Sequence, residues 1–291
     1  MKPAAFEYLT PRTRAEAVDL LDRYGGRAKL LAGGQTLVPM MNFRIVRPEF
    51  LIDLNRLDDL SYIREDDGIL AIGSLTRHRE IETSPLVRRL CPLAFRAAPL
   101  IAHAVIRNRG TIGGSLAHAD PAAEWALVAT ALQAEMVAES SRGRRTIPAE
   151  EFFVAQLTTA LTDEEVLVEI RVPVASGRVG AAFEEISRRH GDFALVSVAA
   201  QIACSEDGRL RQFVLGLGGV CPVPVDVSRY GEHFKGDVLD DLSFDGLARE
   251  IAAAIDPLSD IHASAEYRRD VIEVLVPRAL NVAVARARGE A

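Results

Sequence analysis

The stretch Leu30-Leu31-Ala32-Gly33-Gly34-Gln35-Thr36-Leu37 follows a short apolar run and sets a Gly-Gly pair before polar residues. A second stretch, Arg109-Gly110-Thr111-Ile112-Gly113-Gly114-Ser115-Leu116, repeats the pattern. Without a Cβ the backbone can approach a ligand closely. Free amides of such turns form concave anion sites. One such loop suits a phosphate; two suit both halves of an elongated cofactor. The first stretch reads as strand, turn and helix start, which favours an anion. It lacks the Lys-Ser/Thr ending of a P-loop, so it is not an ordinary nucleoside triphosphate site.

Working outward, Thr13 and Glu16 have capping-box spacing, and Ala17, Leu20, Leu21 and Tyr24 continue an apolar helical face that Gly25-Gly26 stops. Lys29 to Ala32 and Phe50 to Leu54 read as strands around a short helix through Met40. Ile69 to Ile72 is a strand, and Thr76 to Leu90 and Leu93 to Ile106 look helical, with Pro92 as a break. The second glycine stretch reads as a loop, and Asp120-Pro121 opens a helix over Ala122 to Leu132. Gln133 to Ala138, Arg145 to Ile147 and Val166 to Val172 read as strands, with Ser141-Arg142-Gly143 as a hairpin turn. Pro173 to Gly180 is a connector and the main domain boundary. Beyond it, Leu195 to Cys204 and Leu210 to Leu217 flank the turn signal Asp207-Gly208, and helices follow over Ser243 to Ile255 and Ala265 to Leu280. That pattern predicts a sheet with helices on one side.

The bulk numbers narrow the function. At 291 residues, with 48% hydrophobic and 26% charged residues, the chain is an ordinary globular protein able to form two or three subdomains. A net charge of −7 argues against a broad nucleic-acid footprint. Three scattered cysteines, Cys91, Cys204 and Cys221, argue against a disulfide framework and against an iron–sulfur or thiolate metal site. No secretory signal and no bilayer-length apolar run are visible, so a cytoplasmic location is expected.

Other candidates are weaker. Gly216-Leu217-Gly218-Gly219-Val220 fails the dinucleotide fingerprint, because the third glycine is missing and Pro222 and Pro224 stand where a helix would begin. His118 is open to three readings: catalytic base, covalent flavin anchor or hydrogen-bonding neighbour. His78 and His103 read as structural or surface residues. Arg188 to Phe193 reads as a solvated turn or as a loop closing over a cofactor ring.

Three motifs together resemble a known family: Ala32 to Met40, Arg107 to Ser115, and Ala117-His118-Ala119-Asp120-Pro121-Ala122-Ala123-Glu124. The chain resembles the FAD-binding medium subunits of the molybdenum hydroxylases, the group that includes carbon monoxide dehydrogenase medium chains and xanthine dehydrogenase FAD-binding subunits. The resemblance covers almost the whole chain. It implies an α+β protein with a PCMH (vanillyl-alcohol-oxidase-type) FAD-binding fold. Two α/β subdomains, residues 1–57 and 58–176, would precede a C-terminal α+β domain, residues 177–291.

It further implies non-covalent FAD. Leu31, Ala32, Gly33, Gly34, Gln35, Thr36 and Leu37 would face the pyrophosphate. Gly110, Thr111, Gly114, Ser115 and His118 would line the ribityl–diphosphate side, and Glu124 the adenosine half. Ile101, Ala102 and Leu167 would pack against the cofactor, with Asp192 and Phe193 near the isoalloxazine. Gln35 stands where relatives often carry His or Asn, and Glu184-Glu185 where some place a lysine near the ring. No catalytic side chain and no metal ligand is nominated. Molybdopterin and 2Fe–2S clusters would belong to large and small partner subunits, in a dimer of heterotrimers. At this stage a stand-alone flavin oxidase and a flavin-free structural subunit stay open as alternatives.

Overall fold

The computed structural model of the chain describes residues 1–239 and 242–290. Its N-terminal sheet joins β1 (Glu7–Leu9), β3 (Phe50–Asp53) and β2 (Ala28–Leu31), in the order β1-β3-β2, all parallel. Helix α1 (Arg14–Tyr24) links β1 to β2. Its N-cap Thr13 hydroxyl accepts from the Glu16 amide at 3.1 Å, and the Glu16 carboxylate accepts from the Arg12 amide at 2.7 Å. The helix buries Ala17, Val18 and Leu21 against a core that includes Ile52 and Leu54, and Gly25 caps its end at φ 52°. Helix α2 (Leu37–Asn42) follows the first glycine segment.

The middle sheet is antiparallel. It contains β4 (Ile63–Asp66), β5 (Ile69–Gly73), β6 (Glu135–Ser140), β7 (Gly143–Pro148) and, beyond a short hairpin of β8 (Phe153–Ala155) and β9 (Thr158–Thr159), β10 (Val166–Pro173). The order is β4-β5-β10-β6-β7, with the expected turn at Ser140–Gly143.

The two long helical stretches expected over 76–106 are instead four short helices: α3 (His78–Thr83), α4 (Pro85–Leu90), α5 (Pro92–Ala97) and α6 (Ala104–Arg107). Pro85 and Pro92 each open a helix at its first position, and the Ser84 hydroxyl caps α4. The second glycine segment is not a loop but the first turn of α7 (Ile112–His118). Helix α8 (Glu124–Ala131) is buried on every residue and carries Trp125 into the largest core, and α9 (Ala149–Phe152) closes the unit.

The last sheet runs β11 (Arg178–Ile186), β12 (Val196–Cys204), β13 (Leu210–Gly218) and β14 (Val225–Asp226), antiparallel throughout. Strand β11 begins inside the stretch read as a connector. The β12–β13 turn carries Gly208 at φ 79°, as Asp207-Gly208 predicts. Helices α10 (Asp245–Ala254) and α11 (Ala265–Arg288) cover one face. The expectation of helices on one side is incomplete. The other face packs on α5 and α8, so Ala181, Phe183, Ala199 and Val214 join the middle core. Burial on both faces explains why β12 is an almost unbroken apolar run without strict alternation.

Candidate functional site

Strands β2 and β3 end side by side, and their carboxyl ends open onto a cavity of about 580 Å³. Ligands of parallel strands collect at such ends because the chain leaves the ladder there and its amides lose their strand partners. Between Leu31 and α2 the chain turns through Gly34 at φ 71°, a conformation that favours glycine. Among the described residues, no protein acceptor takes the amides of Gly33, Gly34, Gln35 and Thr36. The Gln35 side chain folds back, and its Nε2 donates to the Gly33 carbonyl at 2.9 Å. Arg77 and Arg109 line the same cavity. Unpaired amides beside two positively charged residues around one hollow suit a diphosphate, so the residues present fit FAD at its pyrophosphate.

The second glycine segment has a different character. Thr111 is 2% exposed, and its hydroxyl accepts from the Gly114 amide at 3.1 Å as the N-cap of α7. The amides of Ile112 and Gly113 donate to the Thr76 and Ser74 carbonyls at 3.1 and 2.9 Å, and that of Gly110 to Ile106 at 2.7 Å. The expectation of free amides at both segments is therefore corrected, because here the protein itself accepts them. The glycines serve close packing. A Cβ on Gly113 would lie 2.5 Å from the Ser74 Cβ, and one on Gly110 would lie 2.6 Å from Nε2 of His78.

The two segments nevertheless meet. A Cβ on Gly33 would stand 2.5 Å from the Arg109 carbonyl oxygen and 2.7 Å from the Gly110 Cα. A Cβ on Gly114 would lie 3.6 Å from that of Ala32. His78 backs this junction. Its Nδ1 accepts from Trp125 Nε1 at 2.9 Å. Burial, then the charges of Arg77 and Arg107, push its pKa down to about 4.

Of the sequence-derived residues, the cavity gathers Leu31, Ala32, Gly33, Gly34 and Gln35. Thr36 and Leu37 lie just past it, at the N-cap and first residue of α2. Ser115 and His118 are half-buried along α7, beyond Gly110, Thr111 and Gly114.

Ile101 and Ala102 form a bend held by Arg107, whose Nη1 donates to both carbonyls at 3.0 and 3.1 Å. Arg107 is itself fixed by Glu82 through two contacts of 3.0 and 3.2 Å. The turn carrying Asp192 and Phe193 reaches this bend, since a Cβ on Gly191 would touch the His103 ring at 2.6 Å. Asp192 pairs with Arg189 at 3.0 Å, and Phe193 is 58% exposed. Leu167 is buried beside a bulge in β10.

Glu124 is 7% exposed, and burial, with the neighbouring Glu185 and Asp120 charges, pushes its carboxyl up to about 8 against a hydrogen bond from its own amide. Glu185 is raised by burial to about 7, and among the described residues its Oε2 has no hydrogen-bond partner. Glu184, one residue earlier and on the opposite face of β11, pairs with Arg278 at 3.1 Å.

Sequence reasoning passed over Tyr8, Asp53, Asn55, Arg77 and Arg109, all of which line the cavity. Asp53 accepts from the Tyr8 hydroxyl, and from the Asn55 amide at 3.0 Å. Burial opposes its charge, but these hydrogen bonds outweigh it and hold the carboxyl below its ordinary value. The available signal was the polar Asp53-Leu54-Asn55 at the carboxyl end of a strand next to the glycine turn.

With this geometry in hand, comparison with known proteins is specific. The family described as "FAD binding domain in molybdopterin dehydrogenase" matches residues 4–175, and "CO dehydrogenase flavoprotein C-terminal domain" matches residues 181–283. The chain belongs to this family. It is an FAD-binding subunit of the oxidoreductase class. It is 41% identical to the 6-hydroxypseudooxynicotine dehydrogenase complex subunit alpha of Paenarthrobacter nicotinovorans, over 99% of this chain and 97% of that protein. Among solved structures, a chain of carbon monoxide dehydrogenase from Hydrogenophaga pseudoflava superposes with a TM-score of 0.92 at 38% identity, over 98% of this chain and 99% of that one. A chain of quinoline 2-oxidoreductase from Pseudomonas putida 86 does so with a TM-score of 0.92 at 34% identity, over 100% and 99%. The PCMH-type α+β architecture expected from the resemblance is the one observed. No helix among the described residues is long and apolar enough to cross a membrane.

Proposed function

We propose that this chain is the electron-transferring medium subunit of a molybdenum hydroxylase, carrying FAD non-covalently between the small subunit's 2Fe–2S clusters and an external acceptor. The large molybdopterin subunit would transform the substrate, the assembly would be a dimer of heterotrimers, and its location the cytoplasm. The observation that carries the reading is the run of open amides from Gly33 to Thr36 beside Arg77 and Arg109.

FAD, when bound, supplies a redox centre that accepts electrons singly and releases them as a pair. The chain's own work is to bind and orient. The amides of Gly33 to Thr36 would hold the diphosphate, with the positive charges of Arg77 and Arg109 beside them. Leu31, Ala32, Gln35 and Leu37 would wall the turn. Gly110, Thr111, Gly114, Ser115 and His118 would flank the ribityl side, with Glu124 toward the adenosine half. Ile101, Ala102, Leu167, Asp192 and Phe193 would enclose the rings. Division at residues 57/58 and 176/177 separates the units that would do this.

The test is flavin reduction by the holoenzyme's substrate, followed with and without the partner subunits. Reduction only in the complex supports the assignment, whereas rapid reduction of the isolated chain overturns it. Heat denaturation should release all flavin into solution; flavin left on the protein contradicts non-covalent binding.

A further inference from the structure

The open first segment needs something to hold it. Among the described residues, no backbone hydrogen bond joins residues 32–37 to residues 109–115, although the two meet at Gly33 and Arg109. One polar side-chain path does connect them. Asn55 Nδ2 donates to the Ala32 carbonyl at 2.8 Å. Arg77 Nη2 donates to Asn55 Oδ1 at 2.6 Å, and Arg77 Nη1 donates to the Arg109 carbonyl.

Both intermediates are anchored. Asn55 is tied to Asp53 through its own amide and its side chain, and Asp53 to Tyr8. The Arg77 amide donates to Glu80 Oε2 at 2.7 Å, and its backbone bridges to Thr111. The second segment is fixed to the interior by its own amides, so the path transmits that rigidity to the first. We propose that Asn55 and Arg77 are a positioning pair that holds the two glycine segments in register for the diphosphate of FAD.

This rests on the reading of the cavity as the diphosphate site. A guanidinium is needed because its planar fork reaches two acceptors in fixed directions, which an ammonium does not match. Charge alone is therefore not the function of Arg77.

The test uses the full-length chain stripped of FAD, with the variants Arg77→Lys, Asn55→Leu and the double. Arg77→Lys keeps the charge; Asn55→Leu keeps the arginine. Each single variant is expected to weaken FAD binding about tenfold by fluorescence titration, and the double little more than either, because one path is cut. Without FAD, hydrogen exchange should quicken at the Val38 and Met40 amides, which donate to the Gly34 and Thr36 carbonyls at 3.1 Å each. It should stay slow at Ile112 and Gly113.

Additive losses, or unchanged exchange at Val38 and Met40, would overturn the pairing. Unaltered FAD affinity in folded variants would sink this inference and leave the cavity assignment standing. A wild-type chain that takes up no FAD, while exchange still responds, would sink the cavity assignment instead. Asn55→Ser, which removes the same Nδ2 donor, serves if Asn55→Leu fails to fold.

Discussion

The two glycine segments look alike as letters and differ in use. In the first, among the described residues, no protein acceptor takes the amides of Gly33 to Thr36, and Gly33, Gly34 and Gln35 line a cavity. In the second, Ser74, Thr76, Ile106 and the Thr111 hydroxyl accept the amides of Gly113, Ile112, Gly110 and Gly114. Glycine at Gly34 permits a left-handed turn, whereas glycine at Gly113 makes room for Ser74. The lesson is that a Gly-Gly pair marks where backbone must come close to something. Whether that something is a ligand or more protein depends on where neighbouring elements supply acceptors.

The strongest way to break this contrast is a crossed pair of substitutions. Gly113→Val drives a branched side chain into Ser74, and should cost about 3 kcal/mol of stability in a urea titration. At Gly34 a Cβ would meet the Leu31 and Val38 side chains, each at 3.1 Å, and no backbone, and the strain of its φ costs Gly34→Val about 1–2 kcal/mol. It should fold yet purify without FAD. Normal flavin content in Gly34→Val contradicts the site.

The buried interior behind the second segment gives the next effect. Glu124 has its carboxyl raised from 4.5 to about 8, so the folded chain keeps a proton that the unfolded chain loses. Its stability contribution is full below pH 4.5 and is lost as pH rises through about 8, on the order of a few kcal/mol. FAD-free Glu124→Gln should flatten that slope, and an unchanged slope would show that Glu124 is ionised when folded.

His78, against Gly110, runs the other way. Its pKa is pushed from 6.5 down to about 4, so stability present above pH 6.5 is lost as pH falls through about 4. His78→Gln should remove that acid loss in the same titrations.

The smallest effect sharpens the contrast most finely. Thr111→Val removes the α7 cap and should lower stability by about 1 kcal/mol. Flavin retention in the folded protein should stay near normal. A large loss of FAD would show that the hydroxyl turns from Gly114 to the cofactor.

Much of this was legible in order along the chain. The cap at Thr13, the strand–glycine–helix run from Ala28 to Asn42, the hairpin at Asp207-Gly208 and the buried helix from Glu124 depend on residues a few positions apart. Local geometry and hydrophobic period therefore specify them. The breaks at Pro85 and Pro92, and the helix hidden in Ile112–His118, were harder to see. There a cap or a proline competes with periodicity over a few residues.

What only the tertiary structure decided is non-local. Asn55 meets Ala32 and Arg77 across 23 and 22 residues of chain, and Tyr8 meets Asp53 across 45. The second face of the C-terminal sheet is covered by α5 and α8 from another unit. An amide's fate depends on whether an acceptor lies within about 3 Å of it, and no pattern of neighbouring letters states that distance. The sequence by itself thus determined where backbone must turn tightly, and packing determined which of those turns stays open to a ligand.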